Sequence, residues 1–168
     1  MLGQQSPPKV IDSCAAYVRW MNGNDMSEVM DIERRCFDHP WSETDFRFVL
    51  RRPDRNFIGM VATLDEAVLG YMVYELCKFH IELVNLAVDP LFQQNGIGGQ
   101  LIEKLKSKLS MDKRRAISLA VRDDNLPAHL FFRSCGFVAT KILKDYYAPD
   151  EDSTLQPQDA YLMRYSIA

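Results

Sequence analysis

The chain has little of what marks membrane, exported, metal-binding or disordered proteins. No apolar run is long enough to span a bilayer, and the opening MLGQQSPPKV lacks the apolar core of an export signal. Its 4 cysteines, Cys14, Cys36, Cys77 and Cys135, lie far apart and form no CxxC pair. That spacing argues against a thiolate metal site or a dithiol redox pair, and no metal is expected. Reduced thiols in a cytoplasmic protein are the simplest reading. Charge of one sign is also scarce: the net charge of −3 and the pI near 5.6 argue against a general nucleic-acid binder. There is no repeat, linker or low-complexity segment. What remains is ordinary globular composition, 47% hydrophobic and 26% charged. A length of 168 residues suits one domain with a proper core. We expect a loose leader over residues 1–14, carrying Pro7 and Pro8, and a single domain over residues 15–168.

Hydrophobic periodicity orders the elements as βααβββαβαββ. Residues 17–21 alternate weakly, as a first strand. Asn24 or Asp25 can cap a helix carrying Met26, Val29, Met30, Ile32, Glu33 and Phe37 at spacings of three and four. His39-Pro40-Trp41 breaks it, and Ser42, with Asp45 as its capping-box partner, opens a second helix through Phe46 and Leu50. Residues 57–63 and 68–76 read as a strand pair around Leu64-Asp65-Glu66-Ala67, and residues 79–88 as a fourth strand. Ile97, Leu101, Leu105 and Leu109 share one helix face. A short strand over 116–121 and a helix over 126–135 ended by Gly136 follow, then strands over 137–143 and 160–167. Antiparallel hairpins with one parallel crossover define a mixed α/β (α+β) class.

The segment Asp89 to Leu105, DPLFQQNGIGGQLIEKL, carries the chemistry. A polar, glycine-rich turn opens directly into an amphipathic helix. Gly96, Gly98 and Gly99 let the backbone pass close to a ligand. The helix start offers unpaired N–H groups and a positive dipole end, which favour phosphate. A P-loop would need Lys and Ser/Thr after its last glycine, where this chain has Gly99-Gln100. A dinucleotide fingerprint would need GxGxxG and an acidic residue about twenty positions on. Neither fits. The pattern Gln/Arg-x-x-Gly-x-Gly/Ala is met in full by Gln93-Gln94-Asn95-Gly96-Ile97-Gly98, and it resembles the pyrophosphate loop of the GNAT family of acetyl-coenzyme A-dependent N-acetyltransferases. A second block, Leu119 to Asn125 followed by Ala128 to Phe137, is similar to that family's strand-helix segment ending in Gly-Phe.

The resemblance covers essentially the whole chain. It implies a twisted, mostly antiparallel sheet of about seven strands flanked by four helices, with the fourth and fifth strands splayed. It implies that acetyl-coenzyme A lies in that gap, with its arm on the backbone of Leu86, Ala87 and Val88. The pyrophosphate would rest on Gln94, Asn95, Gly96, Ile97, Gly98 and Gly99, and Asn125 would touch the cofactor further along. Glu33 to Ser42 is similar to the segment between the first helices of the RimI-type ribosomal-protein alanine acetyltransferases. Asp145-Tyr146-Tyr147 and Asp159-Ala160-Tyr161 resemble their Tyr-Tyr and Asp-Ala elements. By that likeness Pro40, Trp41, Tyr146 and Tyr147 line a groove for the N-terminal amine of a protein or peptide. The intervening 148–158 segment is longer than in compact members, so the shape of that groove is open. Trp41 has an alternative duty in stapling two helices, and the tyrosines in packing as a half-buried pair.

One departure matters. RimI-type enzymes carry a Glu on the fifth strand and a Tyr on the next helix as base and acid, and this chain has Ala120 and Phe132 there. Neither moves a proton. Glu82 interrupts an apolar strand, sharing a face at period two with His80, Val84 and Leu86. Its setting resembles that of the general-base Glu in the histone-acetyltransferase branch, and burial would raise its pKa towards neutrality. A hydrogen-bonded carboxylate at the strand's exposed end is the alternative. Tyr147 is the nearest phenol to serve as acid. Two other functions stay open beside N-terminal acetylation: acetylation of a small amine (polyamine, amino sugar or amino acid), and non-catalytic binding of an acyl-coenzyme A. No role with nucleic acid or membrane is expected.

Overall fold

The computed structural model describes residues 16–147 and 157–168. The expected leader and most of the segment between the last two strands lie outside the described residues. The elements follow the expected order: β1 (Tyr17–Trp20), α1 (Met26–Cys36), α2 (Glu43–Leu50), β2 (Phe57–Leu64), β3 (Ala67–Leu76), β4 (Ile81–Val88), α3 (Ile97–Lys106), β5 (Ala116–Arg122), α4 (Leu126–Ser134), β6 (Val138–Tyr147) and β7 (Gln158–Ser166). The strands form one seven-stranded sheet in the order β1-β2-β3-β4-β5-β7-β6. Among the described residues only β4 and β5 run parallel. The expected mixed α/β architecture is the one found.

The sheet is apolar on both faces because helices cover both. On one face α3 and α4 bury Ile97, Leu101, Ile102, Leu105 and Phe132 against Met72, Leu83 and Leu119. On the other, α1 and α2 bury Val29, Ile32 and Phe46 against Val61, Tyr71, Val73 and Ala87. Strand β3 lies in the middle of both layers, so its buried run from Val68 to Glu75 is nearly continuous rather than alternating. Asp65 (φ 47°) and Glu66 (φ 70°) make the two-residue turn between β2 and β3, the twist a tight hairpin demands, without a glycine.

Local chemistry explains most boundaries. Ser42 caps α2 as expected: the Asp45 N–H donates to Ser42 Oγ at 3.1 Å, and the Ser42 N–H donates to Asp45 Oδ2 at 2.7 Å. The start of α1 differs from expectation. Asp25 has helical dihedrals and its side chain caps no N–H of α1, accepting from the Asn22 N–H at 2.7 Å as a capping-box partner. A 3₁₀ turn, Gly23–Asp25, precedes α1, and Asn22 caps that turn by accepting from the Asn24 N–H at 2.9 Å. Asp25 is instead clamped by Arg19 through two bonds of 2.6 and 2.8 Å. Strand β4 begins at Ile81 rather than residue 79, leaving Phe79 exposed. Helix α3 stops at Lys106. Strand β6 runs on to Tyr147, with an irregularity between Leu143 and Tyr147.

Candidate active site

The site is built where β4 and β5 part. Their parallel pairing consists of Ile81↔Ile117 and Glu82↔Ser118, and beyond that point β4 keeps only β3 as a partner. The edge of β4 from Leu83 to Val88 therefore presents main-chain donors and acceptors with no ladder partner on the β5 side, an opening for an extended polar chain. Leu86, Ala87 and Val88 lie on this stretch. The Val88 carbonyl is already engaged, accepting from Gln93 Nε2 at 3.0 Å and from the Cys36 thiol at 3.3 Å.

The loop at the mouth of the opening is held from within. The Asp89 carboxylate takes two bonds from Arg35 (2.8 and 2.9 Å) and one from the Leu91 N–H (3.0 Å). Asn95 donates its amide back to the Phe92 and Gln93 carbonyls, so its side chain shapes the loop. Gln94 (φ 62°) and Gly96 (φ 79°) both adopt left-handed backbone, which turns the chain into α3. Gln100 N–H is bonded to the Gly96 carbonyl, so the N–H groups of Ile97, Gly98 and Gly99 precede the helical ladder and point out of the helix start. A Cβ on Gly99 would meet nothing within 4 Å, whereas one on Gly98 would stand 3.0 Å from the Phe131 ring. The bare α-carbon of Gly98 thus serves the packing of α4. Asn125 has a structural duty too: it caps α4, accepting from the Ala128 N–H at 3.1 Å.

The expected face-sharing of Glu82 is corrected in one respect. Val73 pairs with Asn85 but Tyr74 pairs with Leu83, so Val84 is an extra residue, a β-bulge. The bulge reverses the alternation after it. Leu86 packs on the α3/α4 side, while Asn85 and Ala87 turn towards α1 and α2. Glu82 stays on the α1/α2 side, opposite Glu75. Its partner across the split, Ser118, stands two residues before Ala120 on β5, so Ala120 lies one pleat further along the same face, about 7 Å away along the strand. Burial pushes the Glu82 carboxyl above the ordinary glutamate range, and Glu75 adds to the effect. His80 Nε2 lies 3.5 Å from Glu82 Oε2.

Tyr147 lies at the end of β6. Its hydroxyl donates to the Ala120 carbonyl at 3.4 Å, and its ring meets Tyr146 edge-on at 5.0 Å. Burial, then Tyr146, hold the Tyr147 phenol protonated to higher pH than usual, against the pull of Arg122. Phe132 is 8% exposed and packs on Phe131 and Phe137, so this position is purely apolar. Across the opening, Pro40 is exposed, and Trp41 packs edge-on against Phe46 at 5.1 Å. Arg122, paired with Asp124 at 2.9 Å, also feels the charge of Asp38 from the α1–α2 loop and of Tyr147.

The structure adds groups the sequence pattern does not single out. Arg35 and Asp89 are 54 residues apart and give no local signal. Glu33 is 1% exposed and bonded to Trp41, Tyr71 and Asn85. Its one sequence signal is an acidic residue standing within the apolar pattern of a helix. Among the described residues, no group of three or more His, Cys, Asp or Glu is placed to hold a metal ion, and no helix is long and apolar enough to cross a membrane.

A split parallel strand pair with a helix N-terminus at its mouth is the framework that the sequence resemblance implied. The sequence pattern of the acetyltransferase (GNAT) family matches residues 26–137. The chain therefore belongs to the acetyltransferase (GNAT) family and is an N-acetyltransferase. It is similar to the N-alpha-acetyltransferase RimI of Mycobacterium tuberculosis, 30% identical over 146 residues that cover 83% of this chain and 85% of that protein. It is likewise similar to the ribosomal protein bS18-alanine N-acetyltransferase of Salmonella typhimurium, at 27% identity, with 88% and 95% covered. The crystal structure of the ribosomal-protein-S18-alanine N-acetyltransferase from Escherichia coli superimposes with a TM-score of 0.76 at 26% identity, covering 90% of this chain and 94% of that one.

Proposed function

We propose that the protein transfers the acetyl group of acetyl-coenzyme A to the N-terminal α-amine of a protein or peptide. The observation that carries this reading is the opening of β4 from β5 beyond Glu82, with the bare helix start of α3 at its mouth. An extended thioester arm fits the unpartnered edge at Leu86, Ala87 and Val88. The N–H groups of residues 97–99 suit a pyrophosphate. Gln94, Asn95 and Gly96 contribute backbone at that loop, since the Asn95 side chain is spent on loop carbonyls. Asn125 can reach the cofactor only through the amide nitrogen its cap bond leaves free.

The amine nitrogen attacks the thioester carbonyl carbon, forming the C–N bond as the C–S bond breaks. Glu82 takes the proton the amine loses, directly or through water, and Tyr147 gives its hydroxyl proton to the departing thiolate. A carboxyl held above its usual range and a phenol kept protonated suit those two duties. The likeness of Pro40, Trp41, Tyr146 and Tyr147 to RimI-type elements supports a groove for a peptide N-terminus, and the names of the Salmonella and Mycobacterium relatives state α-amine or alanine acetylation for those proteins. A cytoplasmic location accords with the free thiols of Cys36, Cys77 and Cys135.

Acetyl transfer from labelled acetyl-coenzyme A to a peptide library, free and blocked at the N-terminus, tests the reading. Label confined to free N-termini supports it. Transfer to polyamines or amino sugars alone would replace it with small-amine acetylation. Tight coenzyme A binding without any transfer would favour the binding module that Ala120 and Phe132 bring to mind.

A further inference from the structure

Glu33 sits in the last two turns of α1, 1% exposed, where no cation is bonded to it. Its carboxylate is met by three donors from three other segments. Oε1 accepts from the Trp41 N–H at 2.8 Å, in the loop between α1 and α2. Oε2 accepts from the Tyr71 hydroxyl on β3 and from Asn85 Nδ2 at 3.3 Å, on β4. Asn85 is the first residue after the bulge at Val84. It owes its inward orientation to that bulge and immediately precedes Leu86, Ala87 and Val88.

We propose that Glu33 is a positioning residue that fastens the acceptor-side loop at Trp41 to the thioester-side strand at Asn85, so that acceptor and arm are held in one register. This rests on the acetyl-transfer reading given above. All three partners offer a hydrogen to the carboxyl oxygens, and the Tyr71 hydroxyl can also accept one, so the cluster is satisfied whether or not the carboxyl carries its proton. Burial pushes the Glu33 carboxyl above the ordinary glutamate range, and the Trp41 N–H and Asn85 amide pull it only part of the way back. A fully apolar side chain would pack α1 on β3 as well, so packing alone does not call for a carboxylate here. The linkage does: without it the Trp41 amide and the Asn85 side chain lose their shared anchor.

The test is steady-state kinetics of Glu33→Gln on a peptide acceptor, with coenzyme A affinity measured by calorimetry and amide exchange followed at Trp41. The acceptor KM is expected to rise about tenfold or more, as leaving buried hydrogen-bonding groups without their partner implies. The dissociation constant for coenzyme A should stay within about twofold, because the α3 loop does not touch Glu33. Exchange at the Trp41 amide should quicken by a similar factor. An unchanged acceptor KM, or an acceptor KM and coenzyme A constant that rise in parallel, would overturn the proposal. Tyr71→Phe removes one donor and keeps the ring against Phe46, so it carries the test should Glu33→Gln not fold: a rise of about threefold or more in acceptor KM is expected, and none contradicts. Should the wild-type protein transfer no acetyl group to peptides, the functional reading fails, while Trp41 exchange still reports on the linkage by itself.

Discussion

The Tyr147 hydroxyl is bonded to the Ala120 carbonyl, and Ala120 stands two residues beyond Ser118, the partner of Glu82 on β5. In the role proposed for it, Glu82 must be ionised to take a proton. Its pKa is raised, so activity should be full above that raised value and be lost as pH falls through it, at higher pH than an ordinary glutamate would give. Glu82→Gln should lower kcat by about a hundredfold, abolish that acidic limb, and leave coenzyme A affinity unchanged. Rate measurements across pH check all three, and a variant that keeps the limb assigns it to another group. Tyr147→Phe should lower kcat by about tenfold, with a smaller effect on acceptor KM, which separates proton donation from groove packing. Glu82 was legible because a carboxylate stands out in an apolar strand. Its neighbours on that face were not, because a one-residue bulge leaves the composition of the strand untouched.

At the scale of elements, the caps and turns that obey strong local rules were readable, while those that depend on a distant partner were not. Ser42 and Asp45 announce α2 by spacing alone, and the same spacing between Asn22 and Asp25 hides behind a 3₁₀ turn. Strand β6 was read short because its residues are almost all exposed and carry no alternation. The glycine turn was legible as a loop opening into a helix, but the use of Gly98 depends on Phe131 from α4, which no local pattern contains. Gly96→Ala places a side chain at φ 79° and should cost about 1–2 kcal/mol of stability while weakening coenzyme A binding. Asn125→Ala removes the cap of α4 and should cost about 1 kcal/mol. Thermal melts and calorimetry separate the two effects: Asn125 matters to the cofactor only if coenzyme A affinity falls beyond what the lost helix stability explains.

For the whole molecule, one sheet does two jobs. Its continuous apolar centre, β2 to β4, is covered on both faces and fixes the positions of α1 and α3. The one parallel junction among the described residues comes apart after Glu82, and the proposed chemistry is centred on that gap. The order of elements told of the parallel junction, and family likeness told of the splay; the bond from the Tyr147 hydroxyl to the Ala120 carbonyl, 27 residues away, required the fold. The most direct measurement uses a single peptide with a free N-terminus and an internal lysine, incubated with the protein and acetyl-coenzyme A. Fragmentation mass spectrometry then locates the acetyl group. Acetylation of the α-amine with the lysine untouched is the predicted result; label on the lysine, or none on either amine, contradicts it.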